Sequence, residues 1–324
     1  YFDQLGQIPV VVPPPNEQDA IVAFLDDIFR RTNKFIRNRR RLIEVLTEQK
    51  QAIINRAVTR GLNPNASLKP SGIDWLGDIP AHWETRRLRY LAELRVSNVD
   101  KHSKEGELPV RLCNYTDVYK NDVIRTDMPF MAATASRSEV EAFHLEINDV
   151  VITKDSEDWQ DIGVPALIAE TGDDLVCGYH LAILRPKESV ITGRFFACAM
   201  LCPAVVLQFN LAAKGVTRYG LSHGAIKAIR FVVPPLDEQE SLTKHIAEAT
   251  ASLDEVIDRA KREIDLIREY RARLIADVVT GKLDVRHLAP ADAAPAGEPD
   301  DDAALADDIE DDDAIGEDEP ELIE

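Results

Sequence analysis

The sequence is poor in cysteine and has no long apolar run. It contains 4 cysteines among 324 residues, too few for a disulfide-rich scaffold, so reduced thiols and a cytoplasmic setting are the expectation. Its longest apolar stretch, residues 195–207, includes Cys202 and Pro203 and falls short of the ~20 residues that a membrane-spanning helix needs. We therefore predict a cytoplasmic chain with no membrane partner.

Signatures of catalysis are also missing. The sequence contains no Gly-rich phosphate loop, no G-x-G-x-x-G and no Gly-x-Ser-x-Gly elbow. Two spacings, Cys177 with His180 and Cys198 with Cys202, would suit a zinc site. The first pair falls on a predicted strand and the second on an apolar helix, where a buried reduced cysteine is the commoner case. We predict no catalytic site, no metal site and no cofactor in this chain.

Acidic residues outnumber basic ones by 57 to 38, and the excess is concentrated at one end. The formal net charge is −19, and residues 290–324 alone contain 16 Asp and Glu with no Lys or Arg. This segment has no aromatic residue, which predicts a disordered acidic tail. The remainder is nearly neutral. Bulk charge therefore counts mildly against DNA binding, and the local distribution of cations becomes the useful observation.

What the chain does contain is a long internal repeat. Residues 11–62 recur without a gap as residues 232–283, at a constant offset of 221. The copies open with Val-Val-Pro-Pro-Pro-Asn-Glu-Gln and Val-Val-Pro-Pro-Leu-Asp-Glu-Gln. Each copy predicts one long helix, with Asn16 or Asp237 as its N-cap. A repeat of this length constrains the architecture more than any short motif does.

Apolar residues in both predicted helices recur at the period of a coiled coil, near 3.5 residues. The seven-residue series are Ile21, Ile28, Phe35 and Leu42 in the first helix, and Ile246, Leu253, Ala260, Ile267 and Leu274 in the second. Beside them lie Phe24, Val45, Ala52, Ala249, Val256 and Ile264. Two such rods, each roughly 60 Å long, are expected to pack on each other. Two unrelated core helices are the alternative, but these would not share an entry sequence.

The chain between the helices predicts a mixed α/β domain. Short β-like runs are followed by a helix interrupted at Pro203, and strands and helices do not alternate regularly. The runs lie at residues 110–112, 150–153, 164–168, 180–184 and 229–233, and the helix at 195–209. At the same offset, residues 1–15 correspond to the end of a similar domain. We expect that domain's body to be missing from this sequence, with a naturally half-sized protein as the alternative.

Residues 214–222, Lys-Gly-Val-Thr-Arg-Tyr-Gly-Leu-Ser, are the best candidate for nucleic-acid contact. They combine two glycines, two cations, an aromatic ring and two hydroxyl groups in a predicted loop. Glycine amides can approach a phosphate closely while Arg218 reaches a base edge. Local packing is the alternative for Tyr219.

Three motifs resemble the specificity (S) subunit of type I restriction-modification enzymes. These are Ser-Gly-Ile-Asp-Trp-Leu-Gly-Asp-Ile-Pro-Ala-His-Trp-Glu at 71–84, Thr-Arg-Tyr-Gly-Leu-Ser at 217–222, and the doubled Pro-Pro-x-(Asn/Asp)-Glu-Gln. The resemblance covers about residues 10–288. It implies two target-recognition domains that each read half of a bipartite double-stranded DNA site. It also implies two long helices that pair antiparallel and set the spacing between the half-sites.

The resemblance further implies partners and their cofactors. Methyltransferase (M) subunits would dock on the helices, and translocase-endonuclease (R) subunits would join for restriction. S-adenosylmethionine, ATP and Mg would belong to these partners, and the S subunit itself would do no chemistry. The candidate DNA-binding residues share positions in the 214–222 loop or near strand ends: Lys214, Thr217, Arg218, Tyr219, Lys154, Ser156, Asn114, Tyr115, Tyr179 and His180. For His180, a core histidine hydrogen-bonded within a strand is the competing interpretation.

The predicted fold class is therefore an α/β (α+β) target-recognition domain with an antiparallel coiled coil and a disordered acidic tail. The segments are 1–15 (end of a first recognition domain), 16–62 (first helix), 63–236 (second recognition domain), 237–285 (second helix) and 290–324 (tail). The predicted function is DNA sequence recognition. The alternative is a coiled-coil scaffold that binds only proteins, which the acidic balance of residues 70–236 favours mildly.

Overall fold

The structure is a computed structural model that describes residues 12–73 and 75–288. The predictions for residues 1–11 and for the tail at 290–324 lie outside the described residues. Within the described part, no single helix is long and apolar enough to cross a membrane. The helices Gly193–Met200 and Pro203–Ala212, bent by 71° at their junction, pass the same test of length and composition only as a pair.

In chain order, one long helix precedes a domain of short strands and helices and a second long helix follows it. The helices are α1 (Pro15–Arg60), α2 (Leu88–Leu91), α3 (Tyr115–Lys120), α4 (Arg137–Phe143), α5 (Gly193–Met200), α6 (Pro203–Ala212), α7 (His223–Ala228) and α8 (Leu236–Val279). The strands are β1 (Leu68–Pro70), β2 (Asp78–Pro80), β3 (Glu84–Arg87), β4 (Ala92–Val96), β5 (Leu108–Cys113), β6 (Val123–Ile124), β7 (Met131–Ala135), β8 (Val150–Thr153), β9 (Asp155–Ser156), β10 (Pro165–Ile168), β11 (Leu175–Cys177), β12 (Leu181–Pro186), β13 (Lys214–Gly215), β14 (Tyr219–Gly220) and β15 (Arg230–Val233).

The predicted N-caps Asn16 and Asp237 are wrong by two positions. The long helices begin at Pro15 and Leu236, so Pro14 and Pro235 hold the N-cap positions and the predicted residues lie in the first turn. The reason is that a proline carbonyl three positions earlier accepts the amide of Glu17 at 2.9 Å and that of Glu238 at 3.1 Å. An N-cap residue is defined by a carbonyl that accepts the first intrahelical bond, and proline supplies one.

Both long helices also end sooner than residues 62 and 285. Helix α1 stops at Arg60 and α8 at Val279, each followed within two residues by a glycine with positive φ. Gly61 has a φ of 70° and Gly281 a φ of 74°. A left-handed residue of this kind ends a helix by satisfying carbonyls of the last turn, and glycine adopts it without a Cβ clash.

The chain forms two compact units, and each long helix contributes to both. The first unit contains the described residues up to Arg41 and those from Ala260 onwards. Here Ile21 shares a buried cluster with Leu274 and Val278, and Arg39 pairs with Glu263 at 2.7 Å. Higher positions in α1 meet lower positions in α8, so the two helical segments run antiparallel within this unit.

One polar contact in the first unit is partly withdrawn from water. The Arg271 guanidinium donates to Asn33 Oδ1 at 2.9 Å and lies 4.4 Å from the centre of the Phe29 ring. Burial lowers the pKa of Arg271 from its ordinary value. A polar side chain among apolar neighbours in a helix pair favours one register over others, because a shifted register would leave it unpaired.

The predicted seam residues are all buried or half-buried. These are Ile21, Ile28, Phe35, Leu42, Ile246, Leu253, Ile267 and Leu274. The predictions for Val45, Ala52 and Val256 are wrong, because all three side chains are exposed. Val256 is 42% exposed, whereas its neighbour Ile257 is only 7% exposed. Residues 256 and 257 lie three and four positions after 253, so both are close to this row, and packing buries 257.

The second unit, Leu42–Arg259, contains the mixed domain. Its main sheet has the order β4-β12-β8-β10-β6, antiparallel except for the β10–β6 pair. A second sheet has the order β11-β5-β7, with β11 parallel to β5. The short sheet β13-β14-β9 and the pairs β15-β3 and β1-β2 complete the domain.

Strand β8 is buried along its whole length because both faces of the main sheet are covered. Val150 and Ile152 join the cluster that contains Phe195 of α5. Val151, between them, points the other way and joins the cluster that contains Cys177 of β11. This alternation follows from the two-residue period of a strand. The strand predicted at 150–153 is confirmed. So is the interruption predicted at Pro203, because α5 ends at Met200 and α6 begins at Pro203.

The start of α8 is fixed to the mixed domain by residues of two sequence motifs. Trp83 is fully buried, and its indole Nε1 donates to Glu238 Oε2 at 2.9 Å. His82 Nε2 lies 2.8 Å from the same carboxylate oxygen. Gln239, also fully buried, donates its side-chain amide to the carbonyls of Val190 and Pro234, each at 2.9 Å. The Glu-Gln pair therefore holds the helix entry in place.

Candidate nucleic-acid interface

Segments that follow buried strands meet at one end of the mixed domain. Strands β5 and β11 are parallel, with Cys113 opposite Cys177, so the residues after each strand emerge at the same edge. Thr153 at the end of β8 lies opposite Leu181 at the start of β12. The backbone amide of Lys154 donates to the carbonyl of His180 at 2.9 Å. Sheet register thus brings candidate residues from distant parts of the chain together.

A short hairpin, β13–β14, completes this end of the domain. Strand β14 pairs with β9, which places Tyr219 opposite Ser156. The hairpin contains glycines because the backbone passes too close for side chains. A Cβ at Gly215 would lie 1.9 Å from the carbonyl oxygen of Arg218, and one at Gly220 would lie 2.8 Å from Asp155 Oδ1. The two glycines of the 214–222 segment therefore shape the hairpin and seat it against β9.

A polar network joins the hairpin to the strand ends. The Arg218 guanidinium lies 2.9 Å from the nearer ring nitrogen of His180 and donates to it. His180 Nδ1 lies 3.5 Å from Asp155 Oδ2, and the Lys154 ammonium pairs with the same carboxylate. Burial tends to raise the pKa of Asp155, but hydrogen bonds from His180 and Lys154 outweigh it and leave the pKa below its ordinary value. Half-buried His180 thus bridges Asp155 and Arg218.

Aromatic rings line the same end of the domain. Tyr115 stacks on Tyr119 with centroids 5.6 Å apart, and the Tyr115 hydroxyl lies 3.1 Å from Ser156 Oγ. Tyr119 donates to Asp161 at 3.1 Å. Burial, with the nearby Asp161 charge, raises the pKa of Tyr119 to about 12. The Tyr179 ring centroid lies 3.6 Å from that of His180.

Asn114 has a local structural task beside its candidate role. It precedes α3 and forms a capping box with Asp117, in which the Asn114 amide donates to the Asp117 carboxylate at 2.8 Å. Its side-chain nitrogen lies 3.5 Å from Met131 Sδ. Such a box satisfies free amides of the first turn. The backbone amide of Asn114 is therefore engaged at the helix start, while the next residue, Tyr115, contacts Ser156.

The structure places all ten candidate residues in this region. Tyr115 contacts Ser156, which lies opposite Tyr219. Arg218 contacts His180. His180 and Lys154 both contact Asp155. Lys214 and Thr217 lie on the exposed hairpin. Sequence reasoning missed Tyr119 and the exposed Trp159, which follows β9. Tyr119 was detectable, because it lies four residues after Tyr115 and so shares its face of a helix.

This end of the mixed domain carries side chains of the kinds that bind nucleic acids. Exposed cations, hydroxyls and rings can bind phosphates, base edges and base faces. The nearest thiols, Cys113 and Cys177, are fully buried, and burial raises the pKa of each above its ordinary value. Within residues 12–73 and 75–288, no group of three or more His, Cys, Asp or Glu side chains could hold a metal ion.

The chain is similar to curated proteins of Methanocaldococcus jannaschii. It is 23% identical over 300 residues to the "Putative type I restriction enzyme MjaX specificity subunit", covering 87% of this chain and 61% of that protein. It is 21% identical over 281 residues to the "Type I restriction enzyme MjaVIII specificity subunit", covering 87% of this chain and 63% of that protein. The chain thus spans about three fifths of the length of these relatives. No family model matches it.

A solved structure supports the fold. It is described as "Structural basis underlying complex assembly and conformational transition of the type I R-M system". It matches with a TM-score of 0.52 and 14% identity, over 85% of this chain and 62% of that chain. Its mixture of helices and sheets is the fold described above. The curated relatives are type I restriction enzyme specificity subunits, so the resemblance indicated by the sequence motifs is confirmed.

Proposed function

We propose that this chain, a relative of type I restriction enzyme specificity subunits, is the DNA sequence-recognition subunit of a type I restriction-modification complex. Its mixed domain reads one half of a bipartite double-stranded DNA target. The observation that carries the proposal is the convergence of the hairpin with the ends of β5, β8 and β11. The groups gathered there suit contact with phosphates and bases, and the chain performs no chemistry of its own.

We assign the reading of DNA bases to the hairpin because its cations are exposed and its strand β14 is paired with β9. Arg218 is exposed, yet its guanidinium is steadied by His180. An arginine held in this way can donate two hydrogen bonds to guanine O6 and N7, which is the commonest base-specific contact. Lys214 lies on the opposite strand of the hairpin, where its ammonium can approach a phosphate.

The two long helices form an antiparallel coiled coil in this proposal. They set the distance between half-sites and dock the methyltransferase subunits, and the translocase-endonuclease subunits join that assembly. S-adenosylmethionine, ATP and Mg act in those partners. A helix rises ~1.5 Å per residue and B-DNA ~3.4 Å per base pair, so one heptad corresponds to about three base pairs of spacing.

The test is DNA binding by this chain in complex with its methyltransferase partner. Sequencing of methylated sites in the host supplies the target, and fluorescence anisotropy then compares target and scrambled duplexes. Discrimination of at least ~10³-fold is typical of specific DNA-binding proteins at physiological salt. Equal affinity for both duplexes would support the alternative, a coiled-coil scaffold that binds only proteins.

A further inference from the structure

A second basic surface lies on the mixed domain where β3 leads into α2. We call it the arginine groove and define it by Arg86, Arg87, Arg89, Tyr90 and Arg230. These residues line an open cavity of about 850 Å³. No Asp or Glu is among the described residues that line it. The groove uses none of the ten candidate DNA-binding residues.

The arrangement of arginines in the groove is unfavourable without an anion. Arg87 and Arg230 lie directly opposite each other in the β3–β15 pair. Like charges at such positions destabilise a sheet. Arg230 donates to a neutral acceptor, the carbonyl of Gly72, at 2.9 Å. Among the described carboxylates, Glu84 is the one that pairs with a groove arginine, Arg86, at 2.7 Å. Most of the positive charge is therefore left for a ligand.

The groove lies a strand length away from the candidate interface. Strand β12 begins directly after His180, and the next residue beyond its other end, Lys187, donates its backbone amide to the carbonyl of Leu91 at 2.7 Å. Six residues of strand at ~3.3 Å each separate the two ends by roughly 20 Å. The Lys187 ammonium lies 3.3 Å from the carbonyl of Arg89, which adds another cation beside the groove. A ligand that touches both sites must be long.

We propose that the arginine groove binds phosphates of duplex DNA outside the bases read by the hairpin, an inference that rests on the proposed function. Guanidinium groups match phosphate oxygens with two parallel hydrogen bonds. The Arg89 guanidinium lies 4.7 Å from the centre of the Tyr90 ring, which is 53% exposed, so the ring attracts this cation beside the groove. A distance of roughly 20 Å corresponds to about six base pairs of B-DNA. The groove thus fixes position on the duplex without reading sequence.

The test uses the full chain with its methyltransferase partner and the double variant Arg87→Gln/Arg89→Gln. Each lost phosphate contact lowers the slope of log affinity against log salt by about 0.9. We expect the slope to fall by about 2 for target and scrambled duplexes alike, with their affinity ratio unchanged. Arg87→Lys/Arg89→Lys retains both charges and is expected to restore most of the slope. A matched control, Lys104→Gln/Arg137→Gln, removes two exposed cations elsewhere on the domain.

A series of target duplexes extended on one side locates the contact. The wild-type complex is expected to gain affinity once the duplex reaches about six base pairs beyond the half-site, and the Gln variant is not. An unchanged salt slope in the Gln variant, or an equal loss in the control, would overturn the inference. Loss of methyltransferase binding with an unchanged DNA slope would instead assign the groove to an acidic protein surface. Absence of target preference in the wild type would refute the proposed function. The difference in salt slope between the wild type and the Gln variant, by contrast, tests the groove alone.

Discussion

At the scale of single residues, Arg218 is the side chain most directly committed to readout in our proposal. We predict that Arg218→Ala lowers target affinity by ~1–3 kcal/mol, because a bidentate contact to a base is worth that much. Affinity for scrambled DNA should change much less. Anisotropy titrations with both duplexes measure the difference, and Arg137→Ala, an exposed arginine of α4, is the control. An equal loss on both duplexes would show that Arg218 contacts a phosphate.

Asp155 offers a prediction that depends on pH. Its pKa is below the ordinary value in the folded protein, so the stability it provides is complete above the unfolded pKa of ~3.9 and is lost as the pH falls through the folded pKa. We expect Asp155→Asn to be less stable than wild type in urea unfolding at pH 7. The gap should narrow as the pH falls below about 4. A gap that is constant from pH 7 to pH 3 would assign the loss to packing and not to the charge.

At the scale of elements, we predict that assembly with the methyltransferase requires α8 to be an uninterrupted helix. Ile267 is half-buried between two polar contacts of the helix pair, those of Glu263 with Arg39 and of Arg271 with Asn33. Ile267→Pro removes a backbone hydrogen bond and costs ~3 kcal/mol or more. We expect the variant to lose co-purification with the methyltransferase, whereas Leu266→Ala, at an exposed position of the same turn, retains it. Normal co-purification of the proline variant would contradict the coiled-coil proposal.

The entry of α8 gives a second prediction at this scale. Glu238→Ala removes the acceptor of the fully buried Trp83 indole. A buried donor without a partner costs ~1–3 kcal/mol. We expect chemical denaturation to show a loss of this size. Glu240→Ala, an exposed carboxylate two residues later, should change stability little. Equal effects of the two substitutions would mean that the motif glutamate has no anchoring role.

The elements also show what sequence reasoning can and cannot supply. The repeat predicted both long helices, because similar entry sequences and a heptad pattern are visible without a structure. Val256 was misplaced because two adjacent apolar residues, 256 and 257, fit the period almost equally, and only packing chooses between them. The convergence of Tyr115, Ser156 and Arg218 was not derivable either. It depends on which strands pair and in which register, and those long-range pairings leave no local signal.

At the scale of the whole molecule, net charge is a poor guide to binding. The chain carries −19, yet the arginine groove and the hairpin concentrate cations on the mixed domain. Local fields control contact with a polyanion, because salt screens charges beyond ~10 Å. In our proposal the cations of the hairpin, and not the net charge, bring the mixed domain into contact with DNA.

The acidic residues 290–324 provide the last prediction. Deleting them removes 16 negative charges and no positive ones, which brings the formal net charge from −19 to −3. Their composition offers little apolar surface to pack, so we expect specific affinity to survive the deletion. Association with DNA should become faster at low salt, where repulsion by the tail acts over more than ~10 Å, and should be little changed at high salt. Stopped-flow association rates across a salt series test this, with replacement of the same carboxylates by Asn and Gln as the matched control of length.

The size of the gain in association rate separates two interpretations of residues 290–324. A small gain is expected for a solvated tail, whereas a large gain would indicate a tail that occupies the DNA site. Loss of target affinity on deletion would contradict both interpretations.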